Sequence, residues 1–159
     1  MNRNQNLQIR YAVEKDCGVI AAFNAAMAWE TEHLQLEVDR LREGVQSLFR
    51  QSEYGFYLIA EWDGQIAGQT MITYEWSDWR NGVFWWIQSV YVCPEYRNRG
   101  IFRAILAHIE AEAKAAGNVC GVRLYVESAN QKAREVYRRL GFQETSYQLL
   151  EKDYVICRE

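Results

Sequence analysis

Between Val90 and Leu106 the chain reads VYVCPEYRNRGIFRAIL, and few backbone arrangements satisfy that run. The β-forming residues Ile87 to Val92 are followed by Pro94, which has no N–H to give to a ladder. A polar turn comes next, and from Gly100 onward Ile101, Ile105 and Ile109 recur one helical turn apart. Strand, glycine-bearing turn and helix therefore lie end to end. The first N–H groups of such a helix have no partner within it, and its dipole is positive at that end. A glycine at 100 leaves the backbone open to an anion, with no Cβ in the way. Arg97, Arg99 and Arg103 add full charges around the same point. A phosphate suits this stretch, although the lysine and hydroxyl of a GxxxxGK[ST] loop are missing. On spacing alone, an ordinary strand-to-helix turn with solvated arginines fits the same residues.

The rest of the chain predicts elements on either side of this stretch. Leu7 to Val13 reads as a first strand. Val19, Ile20, Phe23 and Met27 fall at helical spacing from Asp16 to about Trp29, and Leu41, Val45, Leu48 and Phe49 do so from Asp39 to Arg50. The connection Trp29 to Gln35 between them is rich in carboxylates. Phe56 to Trp62, Gln65 to Trp76 and Val83 to Val92 read as three antiparallel strands, joined by Asp63-Gly64 and by a turn at Asn81-Gly82. The helix from Gly100 ends at Gly117-Asn118. Val122, Leu124 and Val126 form a strand that can run parallel to 83–92, because a whole helix separates the two. Ser128 to Gln131 has capping-box spacing ahead of a helix carrying Ala133, Val136, Tyr137 and Leu140, stopped by Gly141. Phe142 to Leu150 and Tyr154 to Ile156 are expected to close the sheet.

Composition narrows the function. At 159 residues, 1–159 fits a single domain. No apolar run approaches the roughly 20 residues that span a bilayer, and MNRNQNLQIRYAV carries no signal-peptide pattern. A net charge of −3 lacks the basic footprint of a nucleic-acid binder. Cys17, Cys93, Cys120 and Cys157 are scattered, with no CxxC or His pairing, so reduced thiols in a cytoplasm are expected, and no metal site. Tyr74, Trp76, Trp79, Trp85 and Trp86 cluster around the second hairpin, as packing, a covered sheet edge, or a wall for a cationic amine. Exposed strand edges together with that cluster would suit a homodimer.

Two motifs carry a resemblance. Arg97, Gly100 and Phe102, preceded by V-Y-V-x-P-E-Y, resemble the Q/R-x-x-G-x-G/A acyl-CoA signature of the GNAT superfamily of N-acetyltransferases. Phe102 departs from it, since a small residue is usual there. Asn130 to Phe142, N-x-x-A-x-x-x-Y-x-x-L-G-F, resembles the second signature of the same family, in order and at the right distance. More loosely, Y-E-W-S-D-W-R-N-G resembles diamine acetyltransferase-like members. The resemblance implies an α/β fold with a mixed, mostly antiparallel sheet, a splayed parallel strand pair and flanking helices. It also implies an N-acetyltransferase that moves the acetyl group of acetyl-CoA to a primary amine of a small molecule, with no metal.

By position, the resemblance implies diphosphate contacts from the amides of Asn98, Arg99, Gly100, Ile101, Phe102 and Arg103, with Arg97 beside them. Strand contacts to the pantetheine arm would come from Val90, Tyr91 and Val92, and Asn130 would join the cofactor site or simply begin its helix. Tyr137 becomes the acid or hydrogen-bond donor to the departing sulfur. Some members carry a Glu where this chain has Gln88, and an amide cannot take a proton, so Glu75, Glu30 and Glu32 stand as substitute bases. Glu30, Glu32, Trp76 and Gln88 are the expected acceptor-site residues. An acetyltransferase of protein or peptide amines, and an acyl-CoA-binding module without turnover, are the competing readings.

Overall fold

The computed structural model describes residues 6–156. They divide into two compact units, one running to Tyr125 and the other beginning at Val126.

The first unit is built on a five-stranded sheet in the order β1-β2-β3-β4-β5. Its strands are β1 (Leu7–Tyr11), β2 (Gly55–Trp62), β3 (Gln65–Ser77), β4 (Gly82–Val92) and β5 (Val119–Leu124). Neighbours are antiparallel except β4 and β5, which are parallel. The parallel pair follows from the helix between its strands, since only a long crossover can bring the chain back in the same direction. At Asp63-Gly64 both residues have positive φ, 49° and 79°, as a two-residue hairpin turn requires. The second hairpin differs from expectation. Its loop is 78–81, with Asn81 in the left-handed region, and Gly82 already belongs to β4, paired with Ser77. A Cβ on Gly82 would lie 2.9 Å from the Cys120 Cβ, so close approach to β5 demands the glycine there.

Helix α1 (Cys17–Glu32) and helix α2 (Val38–Arg50) cover one face. Ile20, Ala21 and Val45 pack there on Tyr57 and Ile59 of β2. Strand alternation sends Leu58 and Ile72 to the opposite face, where α3 (Ile101–Ala116) buries Ile101, Ile105 and Ile109. Helix α1 runs further than expected, so Glu30 and Glu32 lie in its last turn rather than in a loop. After Gly18 no glycine or proline interrupts it. It stops where His33 turns left-handed, φ 51°, and bonds back to Trp29 O.

The second unit contains α4 (Gln131–Arg139). Its N-cap is Asn130, whose Oδ1 accepts from Ala133 N–H, and not Ser128 as the capping-box spacing suggests. Gly141 (φ 92°) follows its last residues. The expected closing strands are absent among the described residues: 142–150 and 154–156 form no ladder. That segment is largely exposed, with Leu149, Leu150 and Tyr154 at the surface, and without a buried face its alternating residues have nothing to set a register. Val126 likewise lies beyond the end of β5.

Candidate functional site

After β4 the chain makes one tight turn at Pro94–Tyr96 and reaches Gly100, the N-cap of α3. Arg97 N–H bonds to Pro94 O at 3.2 Å, and Ala104 N–H bonds to Gly100 O at 3.1 Å. Between them the amides of Asn98, Arg99, Gly100, Ile101 and Arg103 donate to no backbone carbonyl of the described residues. Asn98 and Gly100 have φ of 62° and 79°. A Cβ on Gly100 would meet nothing within 4 Å, so the backbone angle favours glycine there and the space beside it is open. A side-chain cap is worth about 1 kcal/mol. Burying each of Ile101, Ile105 and Ile109 contributes about 1.5–3 kcal/mol, so packing holds this helix without a side-chain cap. These residues fit a diphosphate.

The arginines differ in their engagement. Arg103 is exposed in the first turn of α3. The Arg99 guanidinium lies 5.4 Å from the Trp62 ring and 5.6 Å from that of Tyr96. Arg97 donates from Nε to Val92 O (2.9 Å) and from Nη2 to Glu30 Oε2 (2.7 Å), while Tyr91 Oη donates to Glu30 Oε1 (3.0 Å). Hydrogen bonding to Arg97 holds the Glu30 carboxyl below the usual range, and burial pushes the Tyr91 phenol up. Two residues expected to meet different ligands, Arg97 the cofactor and Glu30 the acceptor, thus bind each other.

Strand β4 changes character halfway. From Val83 to Ile87 it is paired with β5, and Ile87↔Leu124 is the last pair. Gln88, Ser89, Val90, Tyr91 and Val92 have no partner on β5, so the parallel pair parts there. On the other side Gln69 opposes Tyr91 and Met71 opposes Gln88, which leaves both Ser89 and Val90 opposite Thr70. This is a β-bulge, and Ser89 takes φ 51°. Sequence reasoning did not find the residues that line it. Thr70 Oγ1 donates to Gln88 O at 3.0 Å. Gln69 Nε2 donates to Ser89 O at 3.3 Å and to Asn24 Oδ1 at 2.7 Å. Gln69 and Thr70 are 0 % exposed and Asn24 is 8 % exposed. Gln69 Oε1 finds no hydrogen-bond partner among the described residues, an omission that costs about 1–3 kcal/mol. Polar Gln-Thr in the apolar run I-A-G-Q-T-M-I was the available signal.

The face of the sheet beneath α1 and α2 gathers Thr73, Glu75, Phe84, Trp86 and Gln88, as the strand register requires. Gln88 Nε2 donates to Thr73 Oγ1. Arg123 of β5 pairs with Glu75, and its guanidinium lies 3.6 Å from the Phe84 ring centroid. Trp86 stacks on Tyr125 at 4.3 Å. Trp76 does not join this group. It opposes Val83, so it points to the other face with Tyr74 and Trp85, as the strand neighbour of Glu75 must. The aromatic cluster expected around the second hairpin is therefore split between the two faces, with Trp79 exposed near the loop. Glu32 is exposed in the last turn of α1.

In the second unit, burial pushes the Tyr137 phenol up, and its ring meets Phe142 edge-on at 5.9 Å. Arg134 ties the start of α4 to Ser128 O and to Glu144. Asn130 has its acceptor oxygen committed to the α4 amide of Ala133.

Known proteins share this architecture and part of this sequence. The family described as "Acetyltransferase (GNAT) family" matches residues 11–142. Thialysine N-epsilon-acetyltransferase from Bos taurus is 30% identical over 147 residues, covering 87% of this chain and 85% of that protein. A possible acetyltransferase from Clostridium difficile is 41% identical with a TM-score of 0.86, covering 94% of this chain and 99% of that one. A predicted acetyltransferase from Clostridium acetobutylicum, solved with acetyl-CoA, shares the fold at 22% identity and a TM-score of 0.76, covering 92% and 96%.

Proposed function

The chain belongs to the acetyltransferase (GNAT) family, and on that premise we propose that it moves the acetyl group of acetyl-CoA to a primary amine of a small molecule. When bound, acetyl-CoA supplies the activated acyl group as a thioester. The observation that carries the reading is the α3 start, where backbone amides without backbone partners surround a glycine turn at the end of a strand that has parted from its neighbour. The first turn of α3 would hold the diphosphate and the open edge of Val90 to Val92 the pantetheine arm. The small-molecule amine is supported by the likeness to the thialysine enzyme, an N-epsilon-acetyltransferase by name. Because the family match runs through both compact units, we take 1–159 as one acetyltransferase domain. Free thiols at Cys17, Cys93 and Cys120 suit a reducing, cytoplasmic compartment.

An alkyl ammonium has a pKa near ~10.4, so only about one molecule in 2,000 is neutral at pH 7. We assign its proton to Glu75, which shares a sheet face with Gln88 and whose Oε1 is held by Arg123, directly or through a water. The amine nitrogen would then form its bond to the acyl carbon as the C–S bond breaks, and the second proton that nitrogen loses on becoming an amide would pass to solvent. The proton for the departing sulfur comes from Tyr137 Oη, which regains one from solvent. A phenol raised by burial keeps its proton at neutral pH and can donate it. Support for Tyr137 is its place in the N-x-x-A-x-x-x-Y motif.

The test is thiol release from acetyl-CoA with a panel of diamines, amino acids and peptides. Release with small amines, lowered about 100-fold or more in kcat by Tyr137→Phe at nearly unchanged CoA affinity, is expected. Release with peptides alone would move the acceptor to protein amines. No release with any amine, with CoA still bound, would make the chain a binding module.

A further inference from the structure

The bulge in β4 is held from the neighbouring strand by three consecutive residues, each in a different way. Gly68 lets the strands approach: a Cβ there would lie 2.7 Å from Tyr91 O. Gln69 reaches across to Ser89 O, and Thr70 to Gln88 O, so two successive carbonyls of the bulged stretch each receive a side-chain donor. Gln69 is itself oriented by Asn24 of α1, since with Asn24 Oδ1 and Ser89 O both acceptors, only the Nε2 end can face them. Asn24 also hydrogen-bonds the Tyr57 hydroxyl, which extends the chain of buried polar groups to β2.

Stability alone does not account for this arrangement. Gln69 is fully buried and leaves Oε1 unpartnered, where an apolar residue of similar size would leave no orphan. A polar pair of this kind makes sense where a backbone geometry has to be specified. A left-handed, non-glycine Ser89 is such a geometry, because it persists only when its surroundings over-determine it.

We propose that Gly68, Gln69 and Thr70, with Asn24 behind them, are positioning residues that turn the Ser89–Val90 bulge so that its unpaired backbone N–H faces the reacting carbonyl. Drawing the Gln88 and Ser89 carbonyls toward β3 leaves the amide between the ladders directed to the side where β5 has ended. There it is a fixed donor for the oxygen that gains negative charge during acyl transfer. This rests on the acetyl-transfer reading above, and it assigns to Gly68, Gln69 and Thr70 a part in the reaction that none of the three plays by contact.

Thr70→Val removes the hydroxyl at constant shape and Thr70→Ser keeps it; Gln69→Leu removes the donor to Ser89. Thr70→Val and Gln69→Leu are expected to lower kcat about 10- to 100-fold, with KM for acetyl-CoA within about two-fold of wild type, and Thr70→Ser to restore kcat. A folded Thr70→Val enzyme with unchanged kcat, or one whose kcat and KM change together without rescue by serine, would overturn the assignment. Wild type that releases no thiol would defeat the acetyl-transfer reading instead. Hydrogen exchange at amides 88–91 then still decides the bulge: faster exchange in both variants supports the positioning role, and unchanged exchange removes it.

Discussion

Helices α2 and α3 begin in opposite ways. At the start of α2, Glu37 folds its carboxylate over the helix and accepts from Asp39 N–H at 2.9 Å and Arg40 N–H at 2.7 Å. At the start of α3 the N-cap is Gly100, which has no side chain to offer, and the amides of Gly100, Ile101 and Arg103 donate to no backbone carbonyl of the described residues. One helix end is completed by its own sequence; the other is left for something outside the chain. Each can stand because each is fastened elsewhere, α2 through Val45 and α3 through its buried isoleucines. The contrast teaches that a helix fastened by its packing can do without a side-chain cap, which is what the proposed diphosphate site requires.

Giving α3 the kind of start that α2 has is the most severe way to break the contrast. Gly100→Asp places a carboxylate over the open amides, and aspartate is among the few residues that tolerate a left-handed backbone. Affinity for CoA, read by calorimetry, should fall about 100-fold or more while the protein stays folded; unchanged affinity would move the diphosphate elsewhere. Arg103→Glu is milder, since it reverses one exposed charge of the first turn. We expect about a ten-fold loss at low salt that shrinks as ionic strength screens the charge. A loss independent of salt would mean that Arg103 acts by shape.

The reciprocal change is smallest. Glu37→Ala uncaps α2 and should lower Tm by roughly 2 to 4 °C, with KM for acetyl-CoA unchanged. Backbone hydrogen bonds from Arg40 and Asp39 hold the Glu37 carboxyl below its ordinary value. Its contribution is therefore complete above the unfolded pKa of ~4.3 and is lost as pH falls through the lower folded value. The Tm difference between wild type and Glu37→Ala should accordingly hold from neutral pH to about 5 and close below about 4. A difference that persists in acid would show that the cap acts without its charge.

Much of the fold was legible. The hairpin at Asp63-Gly64, the strand-turn-helix at Gly100 and the parallel return of β5 all follow from short-range signals: turn chemistry, periodicity and the length of a crossover. Boundaries set by distant partners were not legible. Gly82 looks like a turn residue until Cys120 is seen against it. Glu30 looks like a loop carboxylate until α1 is found to continue and Arg97, 67 residues away, is found to hold it. The closing strands expected after Phe142 had the alternation of strands without a buried face to select it.

The order of its residues alone marks the open helix start at Gly100, because that is a local matter of backbone angles and missing caps. Which carbonyl turns, which side chains share a face and which strand parts from its neighbour are matters of tertiary structure. Those depend on registers between strands, as where Thr70 meets Gln88 18 residues away and Glu75 meets Arg123 48 residues away. No local preference encodes such pairings, because each partner is energetically indifferent until burial of the whole sheet brings the other beside it.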